Sequence, residues 1–238
     1  MRRRTLTELA HNPDLISGIY NYCDRWCERC PLTSRCLVYA TEQEDNDSPE
    51  SRDIRNEEFW RKLSGIFQET RELIVEWAQQ AGVDLNAAEE DESRLKRKRQ
   101  LVDNHPLTKA GKKYANAASD WLREFDQALE VSDVEDAREV IQWYQYQIAV
   151  KTMRALSGRR EELDEDPEIL DFPKDSDGSA KVALIGIDRS IAAWRLMQMS
   201  LPDRVESIVP LILQLERVRQ RLEHSFPAAR DFVRPGFD

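Results

Sequence analysis

No apolar run in this 238-residue chain approaches the roughly 20 residues that a helix needs to cross a bilayer, and the mean hydropathy of −0.68 points the same way. The basic start, Met1-Arg2-Arg3-Arg4, is followed by no apolar segment of the kind a secretory leader carries. A reducing, cytoplasmic setting is therefore the expectation, and there disulfides are rare. Glycine is scarce, at 8 residues, which excludes collagen-like and glycine-rich low-complexity chains. No glycine-rich phosphate loop, His-Glu-x-x-His or Gly-x-Ser-x-Gly motif is present, so the common nucleotide, metalloprotease and hydrolase signatures are missing. A di-iron bundle needs Glu-x-x-His on each of two helices, which the three histidines here do not supply.

What is present is charge and a regular apolar rhythm. Lys and Arg number 35 against 45 Asp and Glu, a net charge of −10. Averaged over the surface, that charge repels polyphosphates and anionic membranes, so neither a nucleic acid nor a membrane is the expected partner. The 40% hydrophobic share is too high for wholesale disorder.

The rhythm is helical. Phe59, Leu63, Ile66, Phe67, Leu73, Ile74 and Trp77 keep helical spacing, and Gly82 follows as a stop. A stripe from Leu107 through Tyr114, Ala118, Trp121 and Phe125 predicts a second helix, and one from Val134 through Ile141, Tyr144 and Ile148 to Ala155 a third. Ser179 to Met199 and Pro202 to Leu222 predict two more. Lys181–Asp188 resembles a strand opening a nucleotide-binding fold, but no phosphate loop follows and the apolar run continues to Met199, so helix is the reading. The fold class is all-α: an antiparallel bundle of about five long helices with an N-terminal Cys-rich helix–turn–helix segment. Three parts are expected: a Cys-cluster segment over 1–41, an acidic linker over 42–56, and the bundle over 57–238. Polar linkers are placed near 83–106 and 158–178. The six tryptophans are read as core and interhelix packing.

The cysteines carry the chemistry. All four fall in Cys23-x3-Cys27-x2-Cys30-x5-Cys36. Such clustering in a cytosolic chain points to metal, since soft thiolates suit zinc or iron–sulfur. A helix from about Asp14 to Arg29, stopped by Pro31, puts Cys23, Cys27 and Cys30 on one face. Thiols spread along a helix suit a [4Fe–4S] cluster better than one zinc ion; zinc would need the helix to break near Cys27 and form a knuckle over Cys27–Cys30. A redox or sensing cluster is the first expectation. The alternatives are structural zinc on a helical interaction scaffold, or an enzyme with a polar site at Lys151, Asp188 and Arg195. Over eight residues the spacing also resembles the C-x3-C-x2-C motif of radical S-adenosylmethionine enzymes. Arg29 stands where that family has an aromatic residue, and Cys36 would take the iron that binds its cofactor. A protein partner is expected at the bundle or at the C-terminal tail, whose Phe226, Phe232 and Phe237 call for an apolar surface. The basic run Arg94–Arg99, preceded by Glu89–Glu92, is read as a self-neutralising linker.

Overall fold

The computed structural model describes residues 6–44, 50, 53–82, 84–85, 92–126, 134–164 and 174–238. The chain is all-α, a helical bundle: no strand occurs among the described residues. Its helices are α1 (Leu6–Ala10), α2 (Leu37–Glu44), α3 (Glu57–Ala81), α4 (Glu92–Asp103), α5 (Pro106–Asp126), α6 (Glu135–Asp164), α7 (Asp175–Ser200) and α8 (Val205–Ser225). Among the described residues no helix is long and apolar enough to cross a membrane.

Two compact units form. One holds Met1–Tyr20, Arg25–Asp91 and Pro235–Asp238; the other holds Asn21–Asp24 and Glu92–Arg234. They are drawn differently from the compositional segments 1–41, 42–56 and 57–238, since α3 lies with the N-terminal residues and four residues of the cysteine segment lie with the bundle.

In the first unit α1 packs on α2 and α3. Asn56 caps α3 by accepting the Glu58 N–H at 2.9 Å, satisfying one donor of the first turn. Gly82 ends the helix in the left-handed conformation, φ 67°, where a side chain would be strained. The periodic residues form the helix as expected, but Trp60, Phe67, Ile74 and Trp77 remain 48–66% exposed. Trp60 and Trp77 are thus not core residues, a correction to the reading of all six tryptophans. The stripe on α3 is wider than what α1 covers.

In the second unit α5, α6, α7 and α8 close a ring, each packed on the next and α8 on α5. Paired positions fix the directions. Tyr144 meets Arg189, and Arg154 meets Asp175. Asp188 meets Arg219, and Arg195 meets Glu216. Ala110 meets Gln214, and Trp121 meets Ser207. In each pair of helices one number rises as the other falls, so these neighbours run antiparallel. The core centres on Trp194, fully buried, edge-on to Trp121 with centroids 5.0 Å apart. Its Nε1–H donates to the Tyr114 hydroxyl at 2.9 Å. Lys181–Asp188 lies inside α7, where Val182, Ala183, Leu184 and Ile187 are buried.

Three expectations need correction. The linker near 83–106 contains α4, because its Arg, Lys, Gln and Leu residues are good helix formers and because Leu95, Lys98 and Val102, at i, i+3 and i+7, give it a side turned from solvent. The linker near 158–178 is helix at both ends, with α6 continuing to Asp164 and α7 starting at Asp175; positions 165–173 lie outside the described residues. The acidic linker begins inside α2, which reaches Glu44; positions 45–49 and 51–52 lie outside the described residues.

Burial pushes the Tyr114 phenol up to about 12, against partial relief from its bond to Trp194. The unfolded chain releases that proton near pH 10. Below pH 10 the effect is fully favourable to the fold; between pH 10 and 12 the unfolded state loses the proton first and stability falls. The slope reaches about 1.4 kcal/mol per pH unit, about 3 kcal/mol in all. Urea midpoints measured across that range should fall for the native chain and fall less steeply for Tyr114→Phe.

Candidate metal-binding segment

Residues 14–36 do not form the helix expected from Asp14 to Arg29. They run through turns and short 3-10 segments at Ile19–Asn21, Cys27–Arg29 and Thr33–Arg35 before α2 begins. Two residues take left-handed backbone, Gly18 at φ 71° and Arg25 at φ 58°, which no α-helix accommodates. The physical reason lies far away in sequence. In a helix the carbonyls of Asn21 and Asp24 would accept from the N–H four residues on. Here they accept from bundle side chains instead. Lys151 Nζ donates to the Asn21 carbonyl at 3.1 Å. Trp143 Nε1 donates to the Asp24 carbonyl at 2.8 Å, and Gln147 Nε2 donates to the same oxygen.

The side chains on either side of Cys23 are anchored too. The Asp24 carboxylate accepts from the Tyr144 hydroxyl at 2.5 Å and from Arg189 at 2.7 Å. The Tyr22 hydroxyl donates to Asp175 at 2.8 Å, and its ring packs on Phe232 at 4.7 Å. Gly178 makes room for that ring: a Cβ there would lie 2.3 Å from the Tyr22 ring. Cys23 is therefore held from both neighbours by α6, α7 and the C-terminal segment. That segment docks on its own bundle, with Phe226 and Phe232 buried and Lys181 Nζ bonded to the Phe232 carbonyl at 2.6 Å. The Tyr144 phenol is pushed well up, first by burial and then by its bond to Asp24 and that carboxylate's charge, with Arg189 opposing. Asp24→Ala removes the carboxylate that accepts from Tyr144 and from Arg189, leaving Arg189 its bond to the Tyr144 hydroxyl. It should cost about 1–3 kcal/mol in chemical denaturation and bring the Tyr144 ionisation down in an ultraviolet pH titration. Unchanged values for both would show that the carboxylate does not anchor the segment.

The other cysteines sit on two tight turns. The Cys30 N–H bonds the Cys27 carbonyl at 3.2 Å, and the Cys36 N–H bonds the Thr33 carbonyl at 3.2 Å. The Leu32 N–H donates to Cys30 Sγ at 3.4 Å. The Ile16 N–H donates to the Arg35 carbonyl at 2.9 Å, tying the start of the segment to its end. The Arg29 guanidinium stacks over Trp26 at 4.3 Å. All four thiols are half-buried and none is in a disulfide. Among the described residues no group of three or more His, Cys, Asp or Glu side chains is gathered closely enough to hold a metal ion.

The polar residues of the bundle named from the sequence serve separate contacts. Lys151 reaches the Asn21 carbonyl. Asp188 is paired with Arg219 at 3.3 Å and Arg230 at 2.6 Å. Arg195 is paired with Glu216 at 3.1 Å. The anchoring set was not legible beforehand. Trp143, Gln147 and Lys151 do fall at i, i+4 and i+8 on α6, but that spacing reads as packing until Asn21–Asp24 is laid against it. Comparison with protein-family models, curated proteins and solved structures finds no match for this chain.

Proposed function

We propose that the chain binds a metal through Cys23, Cys27, Cys30 and Cys36, and that zinc in a structural four-thiolate site is the best reading. The observation that carries it is the turn over Cys27-Glu28-Arg29-Cys30, closed by the Cys30 N–H on the Cys27 carbonyl and followed by the Leu32 N–H on Cys30 Sγ. A small tetrahedral ion needs such a knuckle. Three thiols along one helix would suit a [4Fe–4S] cluster, and that helix is not formed. The same soft donors nevertheless accept a cluster with a redox or sensing role, so the test separates the two. Convergence of the four thiols is work left to the ion, which couples binding to the ordering of the segment.

The chain is purified without oxygen and analysed for metal and acid-labile sulfide. Colourless protein with one zinc per chain supports the knuckle; iron with sulfide and a broad visible absorption supports the cluster. Iron and zinc together below about 0.1 equivalent, against the high affinity of thiolate sites, overturns both.

A further inference from the structure

We infer that the side of the bundle built by α4 and the first turns of α5 binds the phosphate backbone of a nucleic-acid duplex. The net charge of −10 is unevenly divided. The unit of Asn21–Asp24 and Glu92–Arg234 carries 24 Lys and Arg against 26 Asp and Glu, a net of −2; the other unit carries 11 against 19, a net of −8. The repulsion expected from the whole chain therefore belongs mostly to the other unit.

Within the near-neutral unit the cations are concentrated. On α4, Lys96, Arg99 and Asp103 follow at i, i+3 and i+7 along one side, and Asp103 is joined to Lys112 of α5 at 2.9 Å. Lys109 and Lys113 flank Lys112 on the same side of α5. All five cations are exposed, and Asp103 is an acid set among them. Helix formation is what aligns them, since a linker would leave them without register. A helix of 12 residues is about 18 Å long, the axial rise of about five phosphates of one strand.

The chemistry selects a duplex backbone. No Phe, Tyr or Trp occurs between positions 92 and 113, so this stretch lacks the large rings on which the bases of single strands stack. A membrane-surface helix needs a broad apolar face, and the large exposed apolar side chain of α4 is Leu101. Backbone contacts by lysine and arginine alone give sequence-independent, salt-dependent binding.

The test measures fluorescence anisotropy of a labelled duplex of about twenty base pairs between about 50 and 200 mM salt. Three or four phosphate contacts predict a log–log slope of about −3 to −4. Arg99→Glu with Lys113→Glu should weaken binding by about tenfold or more and flatten the slope by about 2. Arg217→Glu with Arg221→Glu, exposed on α8, changes net charge equally and should weaken binding by less than about threefold. Arg99→Gln with Lys113→Gln repeats the loss without added negative charge, and circular dichroism checks that each variant is folded. No duplex binding at low salt, equal losses in the two charge-reversed pairs, or binding to vesicles of anionic phospholipid without binding to duplex would each overturn the proposal.

Discussion

Trp194→Ala should be the most damaging single substitution in the bundle, costing about 4 kcal/mol. Trp194 is fully buried, so its loss opens a cavity the size of an indole among α5, α7 and their neighbours. It removes the edge-on contact with Trp121, which itself stacks on Phe125 with centroids 5.0 Å apart. It also leaves the buried Tyr114 hydroxyl without the indole N–H that donates to it, adding the penalty of an unsatisfied polar group. For a unit of this size the melting temperature should drop by about 10 °C or more. Trp194→Phe keeps a ring but not the N–H, and should cost less than half as much. Urea denaturation followed by far-ultraviolet circular dichroism reads both. A loss below about 1 kcal/mol for the alanine variant would mean that the bundle core is not organised around this residue.

Replacing Cys27 and Cys30 together by serine should abolish metal binding while leaving the bundle intact. These two thiols define the knuckle, and a hydroxyl is a far poorer donor than a thiolate for either zinc or iron–sulfur. Metal content should fall from near one equivalent to under about 0.1. Cys36→Ser alone leaves three thiolates and an open position, the coordination that zinc tolerates with water as the fourth ligand; it should keep metal but yield it faster to a chelator. Cys27 and Cys30 belong to the unit of α1, α2 and α3, so the melting of α5–α8 should change little in any of these variants. Full metal content in the double variant would remove these residues from the site.

The regular part of the fold was legible because its causes are local. Apolar residues at i, i+3 and i+4 mark α3, α5, α6, α7 and α8, and Gly82 marks the end of α3. The strand-like run Lys181–Asp188 resolves as helix because its apolar residues continue in step to Met197, whose side chain is buried with theirs. Charge density misled in two places. Arg94–Arg99 and Arg159–Asp164 read as linker by composition, yet Arg, Lys, Glu and Leu are good helix formers, and these stretches extend or build helices.

By itself the sequence determined that the chain is helical, where α3, α5, α7 and α8 begin and end within a few residues, and that its four thiols lie within one short segment. Each of these follows from residues that are neighbours along the chain. Only the tertiary structure decided the conformation of that segment. The groups that withdraw Asn21 and Asp24 from a helix, Trp143, Tyr144, Gln147, Lys151 and Arg189, stand more than a hundred residues away. The cysteine spacing and Pro31 suggest a helix from Asp14 to Arg29, while long-range side-chain bonds to the carbonyls of Asn21 and Asp24 replace the intrahelical ones. A backbone acceptor satisfied by a distant donor loses its stake in the helix, and no periodicity in residues 14–30 records that donor.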